Sequence, residues 1–161
     1  MTEKNIEIKK ITKTNTSFIK NELIPFLQIS SESHNPDGIS KTFEFIKSSL
    51  SLISENIIEF KGKFNPILLS FIEGNTESAL LIYMMYDTQP IKDKNDWISP
   101  PFEAKIRQLP FLPILGDCIV ARGAYNSKTP LISFLNVIKI LKSKHALPFS
   151  LYLLFDGEEE I

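Results

Sequence analysis

The sequence predicts an α/β fold, and three observations carry that prediction. Short apolar runs at 57–60, 67–72, 79–86 and 149–155 are bounded by turn residues, the pattern of strands. Stretches with apolar residues three and four apart lie before and between them, as helices require. Late in the chain a strand, a turn, a helix and a strand follow one another, the order of a βαβ unit. The expected architecture is two N-terminal helices followed by a mixed β-sheet with one crossover helix.

Residues 1–15 are polar and Lys-rich and read as a loose lead-in. From Thr16, the apolar residues Phe18, Ile19, Leu23, Phe26 and Leu27 fall at helical spacing, with Pro25 as a kink or an early end. Ser, Asn, Pro and Gly between Ser30 and Gly38 make a loop. A second helix starts near Pro36 or Asp37, with Ile39, Phe43, Ile46, Leu50 and Ile53 on its buried stripe. Ala79 to Tyr86 is apolar at every position and is expected to be a central strand, covered on both faces. A long loop with Pro90, Trp97, Pro100 and Pro101 follows, a length that usually serves function. Two irregular strands joined through 109–113 come next. The third helix buries Leu131, Phe134, Leu135, Ile138 and Leu141, with Asn126 or Ser127 as its N-cap and Pro130 in its first turn.

The 161 residues suit one domain, and a net charge of -1 gives no field to attract nucleic acid or a membrane surface. One cysteine, Cys118, makes an internal disulfide impossible and favours a cytoplasmic setting. No uncharged apolar run approaches the ~20 residues that span a bilayer, and the N-terminus has no apolar signal core.

Three polar segments stand where strands end or a helix begins: Tyr86-Asp87-Thr88-Gln89-Pro90, Arg122-Gly123-Ala124-Tyr125-Asn126-Ser127-Lys128, and Asp156-Gly157-Glu158-Glu159-Glu160. Such ends form the crevice of an open α/β sheet. Together with Asp96-Trp97-Ile98-Ser99-Pro100-Pro101-Phe102, they make four linked motifs in order. In that order the chain resembles the di-zinc exopeptidases that include carnosine dipeptidase, acetylornithine deacetylase, succinyl-diaminopimelate desuccinylase and aminoacylase. The resemblance runs from about Thr16 to Ile161. It implies a partial zinc-exopeptidase (phosphorylase/hydrolase-like) catalytic domain over 16–161, lacking the family's lid and dimerisation domain.

The resemblance also implies a chemistry. In the family, two zinc ions share a carboxylate and a water, and polarise the scissile carbonyl of a small peptide or N-acyl amino acid. By motif position Glu159 matches the general base that takes the water's proton. Glu160 matches a metal ligand, and Asp87 matches the acid that orients a ligand His. Four positions depart from the pattern: Ser127 stands for an Asp and Thr129 for a Gly, and the other two fall on metal ligands. Met85 stands where the family has its first ligand His, and Asn126 where it has the bridging Asp. A thioether suits Cu(I) better than Zn(II), and an amide has no charge to hold two dications together. The family's remaining Asp and His ligands would follow Ile161. The expectation is therefore a truncated, divergent member, a pseudoenzyme that does not bind zinc stably or hydrolyse amides as this chain alone. Two alternatives stand beside it: a non-catalytic binding or regulatory module pairing with another chain, and an active hydrolase completed by a further C-terminal part.

Plainer roles compete for each residue. Glu158, Glu159 and Glu160 can be a solvated acidic end, Met85 a core residue, Asn126 and Ser127 helix caps, and Asp87 a turn residue. Arg122 is expected to pair with a carboxylate, Glu158 or Glu160 being the candidates. Trp97 reads as a loop anchor or as a cleft wall, Cys118 as a small core residue, and His34 and His145 as lone histidines. The apolar runs at 79–86 and 148–155 predict an uncovered face or an unpaired edge, and with it self-association or a completing partner.

Overall fold

The computed structural model describes residues 16–161, so the lead-in expected at 1–15 lies outside the described residues. The first helical segment is a widened turn, Ile19–Leu23, running into α1 (Ile24–Gln28). Pro25 has no N–H to give to the turn before it. The ladder opens at that point, with Ile24 N–H bonded to the Ile19 carbonyl. The long second helix, α2 (Pro36–Leu50), starts as expected. Pro36 opens it, and the Asn35 side chain accepts from Gly38 N–H at 3.2 Å. The third helix, α3 (Lys128–Ser143), buries Leu131, Ile132, Leu135 and Ile138.

Among the described residues, six strands form two sheets. β1 (Asn56–Lys61), β2 (Pro66–Ile72), β3 (Ala79–Met85) and β6 (Ser150–Asp156) make a sheet of order β1-β2-β6-β3. β6 is antiparallel to β2 and parallel to β3. The chain crosses from β3 to β6 through β4 (Lys105–Gln108), β5 (Asp117–Val120) and α3. β4 and β5 pair only with each other, as a separate antiparallel ribbon. The mixed sheet with its crossover helix is thus present.

The expected centre of the sheet is corrected. β3 is an edge strand among the described residues, and β2 and β6 are the strands paired on both sides. Hydrophobicity alone cannot separate β3 from β6, because both runs are apolar throughout. Register explains how β3 stands at the edge. Side chains alternate across a sheet. Leu68, Ser70 and Ile72 of β2 share one face with Leu151, Leu153 and Phe155 of β6, and all six are buried. They pack with Leu23, Phe26, Leu27, Phe43, Ile46, Leu50 and the α3 stripe in one core.

The opposite face carries Phe71 and Tyr152, whose rings meet at 4.9 Å, with Leu81 and Tyr83 beside them. Leu81 is 66% exposed and Tyr83 51%. Ile58 and Phe60 of β1 are exposed as well. The sheet is covered on one face and open on the other. The uncovered apolar surface expected at both runs therefore belongs chiefly to β3, while β6 keeps both edges paired. No helix among the described residues is long and apolar enough to cross a membrane.

Candidate functional site

Because β3 and β6 run parallel, their carboxyl ends emerge side by side, where open α/β sheets gather ligand-binding groups. Tyr86 N–H extends the ladder by one step, to the Asp156 carbonyl at 2.8 Å. Beyond it the chain turns inward at Asp87, and after β6 it turns at Gly157. The first turn of α3 lies alongside. A groove of about 280 Å³ opens between them, lined by Tyr83, Met85, Asn126, Ser127, Leu131 and Glu159 among others. The structure thus brings Met85, Asn126 and Glu159 to one place, from three segments far apart in sequence.

Asp87 is fully buried. Its Oδ2 accepts from the Ser33 hydroxyl at 3.1 Å and from Glu160 N–H at 2.9 Å, so Asp87 holds the turn that carries Glu159 and Glu160. Its Oδ1 is buried without a partner. Burial pushes the Asp87 carboxyl above the ordinary carboxylate range, against the pull of the Glu160 N–H and the Ser33 hydroxyl. Asp87 is therefore more than an exposed turn residue, since its carboxylate is built into the site's floor.

The three terminal glutamates differ in their surroundings. Glu158 turns back to the β1–β2 hairpin, where its carboxylate accepts from the backbone N–H groups of Lys63, Phe64 and Asn65 at 3.2, 2.7 and 3.2 Å. These donors hold its carboxyl below the usual range. Glu159 faces the groove, and its carboxyl is held above the usual range, first by desolvation and then by the charges of Glu160, Asp87 and Asp156. Glu160 is tied by its own N–H to Asp87. Asp156 accepts from the Tyr83 hydroxyl at 2.9 Å and from Glu158 N–H at 3.0 Å. Desolvation and then that bond keep the Tyr83 phenol protonated well above its ordinary range.

The segment before α3 is shaped by its glycine and its lysine. Gly123 has φ +82°, and a Cβ there would sit 2.8 Å from Lys128 Cδ. Lys128 is fully buried, with Nζ donating to the Ile29 carbonyl at 2.6 Å and lying 4.8 Å above the Phe26 ring. It points into the core beneath α1, away from the groove. Burial without a carboxylate partner pushes its amine down to about 7.

One expectation for this segment holds in position only, and another is corrected. Ser127 stands at the N-cap but has φ +70° and makes no side-chain cap bond. The Asn126 amide oxygen is instead taken by Ser127 N–H at 2.9 Å. Arg122 pairs with neither Glu158 nor Glu160. Its guanidinium lies 5.2 Å from the Trp97 ring, and the Arg122 backbone N–H donates to the Pro101 carbonyl at 2.7 Å. Trp97 anchors the long loop in this way. His34 and His145 are exposed and Cys118 is half-buried on β5, all away from the groove.

Ser33, Asn65 and Tyr83 gave no sequence signal. Ser33 is a loop serine among several, and the Asn65 amide bridges the carbonyls of Ser33 and Gly157. Each works through contacts across more than thirty residues of chain, which local pattern cannot show. Lys128 and Glu158 stood inside quoted motifs, and the apolar neighbours of Lys128 were visible only in three dimensions.

A pair of zinc ions does not fit the donors at this groove. Met85 offers a thioether and Asn126 an amide already bonded to a neighbour, leaving Glu159 and Glu160 as the groove's ionisable donors. Among the described residues, no three His, Cys, Asp or Glu side chains converge as a metal site would require.

The sequence pattern of the Peptidase family M20/M25/M40 matches residues 81–161, half of the chain and all three polar segments. The Cys-Gly metallodipeptidase DUG1 of Saccharomyces cerevisiae is 30% identical over 97 residues, covering 59% of this chain and 19% of that protein. The structure of the M20 family metallo-carboxypeptidase Sso-CP2 from Sulfolobus solfataricus superposes with a TM-score of 0.74 at 34% identity, over 86% of this chain and 30% of that one. Human carnosine dipeptidase 1 shares the fold, with a TM-score of 0.72 at 18% identity over 94% of this chain and 34% of its own. The chain spans between 19% and 34% of each relative's length. The open α/β sheet, the motifs at its strand ends and the match across half the chain agree, and the chain belongs to the M20/M25/M40 peptidase family.

Proposed function

We propose that this chain is the opening part of an M20-type catalytic domain whose ancestral reaction is metal-dependent hydrolysis of a peptide or N-acyl amide bond, and that as it stands it does not carry out that reaction through a zinc pair. Family membership supports the reaction class. The observation that carries the loss is local: Met85 and Asn126 line the same groove as Glu159, so the substitutions fall where the ligands would be needed. Glu159 keeps the position and the raised pKa direction of a general base. Glu160 keeps the position of a ligand, and Asp87 that of a positioning acid. Calorimetric zinc titration, together with hydrolysis assays on dipeptides and N-acyl amino acids, tests the proposal. The expected result is no stoichiometric tight zinc and no turnover, and tight zinc with turnover sinks it.

A second reading is favoured by the open sheet face and the β3 edge, which no strand pairs among the described residues. An edge with free N–H and C=O groups next to exposed Leu81 and Tyr83 invites a further strand. In this reading a further segment or a partner chain completes the sheet and supplies missing ligands. Analytical ultracentrifugation of the 161 residues discriminates. A monomer that unfolds in one cooperative step speaks against the need for completion, and self-association speaks for it.

A further inference from the structure

We propose that the tip of the β4–β5 ribbon is a membrane-surface anchor, a stiff apolar knob that enters the interfacial layer of a lipid bilayer. The tip lies outside both the groove and the four-stranded sheet. Between Gln108 and Gly116 the chain reads Leu109-Pro110-Phe111-Leu112-Pro113-Ile114-Leu115, without one charged or polar side chain. Every residue from Pro110 to Leu115 is exposed. Ile114 is 91% exposed, Phe111 70% and Leu115 58%. An exposed apolar run of this length marks a contact site rather than ordinary surface. The knob also stands clear of the rest of the molecule. β4 and β5 pair only with each other, no residue from 105 to 117 belongs to the buried core, and a Cβ added at Gly116 would meet nothing within 4 Å.

The second observation concerns the backbone. Leu112 N–H donates to the Leu109 carbonyl at 3.0 Å, Leu115 N–H to the Leu112 carbonyl at 3.2 Å and Gly116 N–H to the Pro113 carbonyl at 3.1 Å. Pro110 and Pro113 have no N–H at all. Five of the seven residues from Pro110 to Gly116 thus have no N–H left for water. Unmet backbone donors are what make a loop costly to take out of water, and this tip has few. Its two prolines also limit the conformational freedom lost on docking.

Area and charge select the occupant. The knob presents on the order of 500 Å², short of the ~800 Å² that each side of a stable protein interface contributes. A bilayer needs no matching pocket and takes a projecting apolar tip of this size. The root of the ribbon carries Lys105 and Arg107 on β4 and Asp117 on β5, so a charged collar meets water and headgroups while the tip goes deeper. These charges nearly balance, and the chain's net charge is -1. Entry is therefore driven by apolar burial and not by attraction to anionic lipid.

Co-sedimentation of the whole chain with phosphatidylcholine vesicles, with and without phosphatidylglycerol, tests this. The expected result is saturable binding to both vesicles, within about threefold of each other and retained at ~1 M salt. Phe111→Ser combined with Ile114→Ser removes two exposed side chains outside the core. That variant should bind about tenfold more weakly or worse, at an unchanged urea midpoint. Ile58→Ser, on the open sheet face, should leave binding unchanged. No binding to either vesicle, binding lost in salt, or an equal loss in Ile58→Ser and the tip variant overturns the anchor. A parent that dimerises without lipid and a tip variant that stays monomeric also overturn it, because the knob is then a contact between copies.

Discussion

Two neighbouring regions of this molecule carry the same motifs and have fared differently. Beneath the strand ends lies a floor made by Asp87, Gly157, Glu158, Gly123 and Lys128, and almost every polar group in it is bonded. Above the floor lies the groove wall of Met85, Asn126, Ser127 and Glu159, where the Ser127 hydroxyl lacks a partner. The family's motifs mix two kinds of residue. One kind folds the turn, and the other faces the substrate space. The first kind is tied into the fold by its bonds, so losing it should cost folding free energy. The second kind is held less: Asn126 and Glu159 are exposed, and the buried Ser127 leaves its hydroxyl unbonded.

The largest test of the floor is Lys128. Burial lowers its amine from 10.5 to about 7 in the folded chain. Between those values the unfolded chain binds a proton that the folded chain lacks. Stability should therefore rise as pH climbs from 7 and be lowest below 7. Urea unfolding at pH 6 and pH 9.5 should show a gain of roughly 3 kcal/mol in the parent. Lys128→Met should abolish it. Equal slopes in the two proteins would mean that the amine is not held neutral, and the floor would lose its most buried member.

Gly157 comes next. A Cβ at this position would fall 2.3 Å from the ring end of Tyr86, which is itself fully buried and donates to the Pro66 carbonyl at 2.6 Å. Gly157→Ala should cost about 2.5 kcal/mol by denaturant midpoint at unchanged slope. A neutral outcome would show that the ring has room to move, and that the glycine is not needed for packing.

Glu158 is the smaller structural case. Its three backbone donors are charge-assisted, but the site is half-exposed, so Glu158→Ala should cost about 1.5 kcal/mol at pH 7. Because those donors lower its pKa, the contribution is present above the ordinary carboxylate range. It is lost as pH falls through the lowered value. A difference between parent and variant that persists at acid pH would break this account.

The division between floor and wall also marks what was legible in the sequence. The α/β class, the helix starts and the three polar segments could be read because they rest on local pattern: period, turn residues, caps. The roles proposed for Glu159 and Glu160 rest on position within a motif. What stayed hidden depends on distance. The fates of Glu158 and Arg122 were decided by a hairpin ninety residues away and by Trp97. The edge position of β3 was set by pairing, which two equally apolar runs cannot announce. The unpartnered Ser127 arises from a backbone at φ +70°, a conformation that no local pattern around a serine predicts.

The sharpest test rebuilds the wall on the retained floor. Asp87 Oδ1 is buried and lacks a donor, and residue 85 lies two positions earlier in the same strand direction. If the floor is intact, Met85→His supplies an imidazole whose N–H is within the reach the family resemblance assigns to Asp87, while Asn126→Asp returns the charge that an amide cannot carry. The double variant should bind zinc at least tenfold more tightly than the parent in calorimetry, a gain of about 1.4 kcal/mol. Asp87→Asn in that background should remove part of the gain, since an amide accepts more weakly from a ligand imidazole than a carboxylate does. A double variant that binds no better than the parent would show that the floor has also drifted from ligand geometry. The difference between the two regions would then be one of degree, and the groove could not be restored by its wall alone.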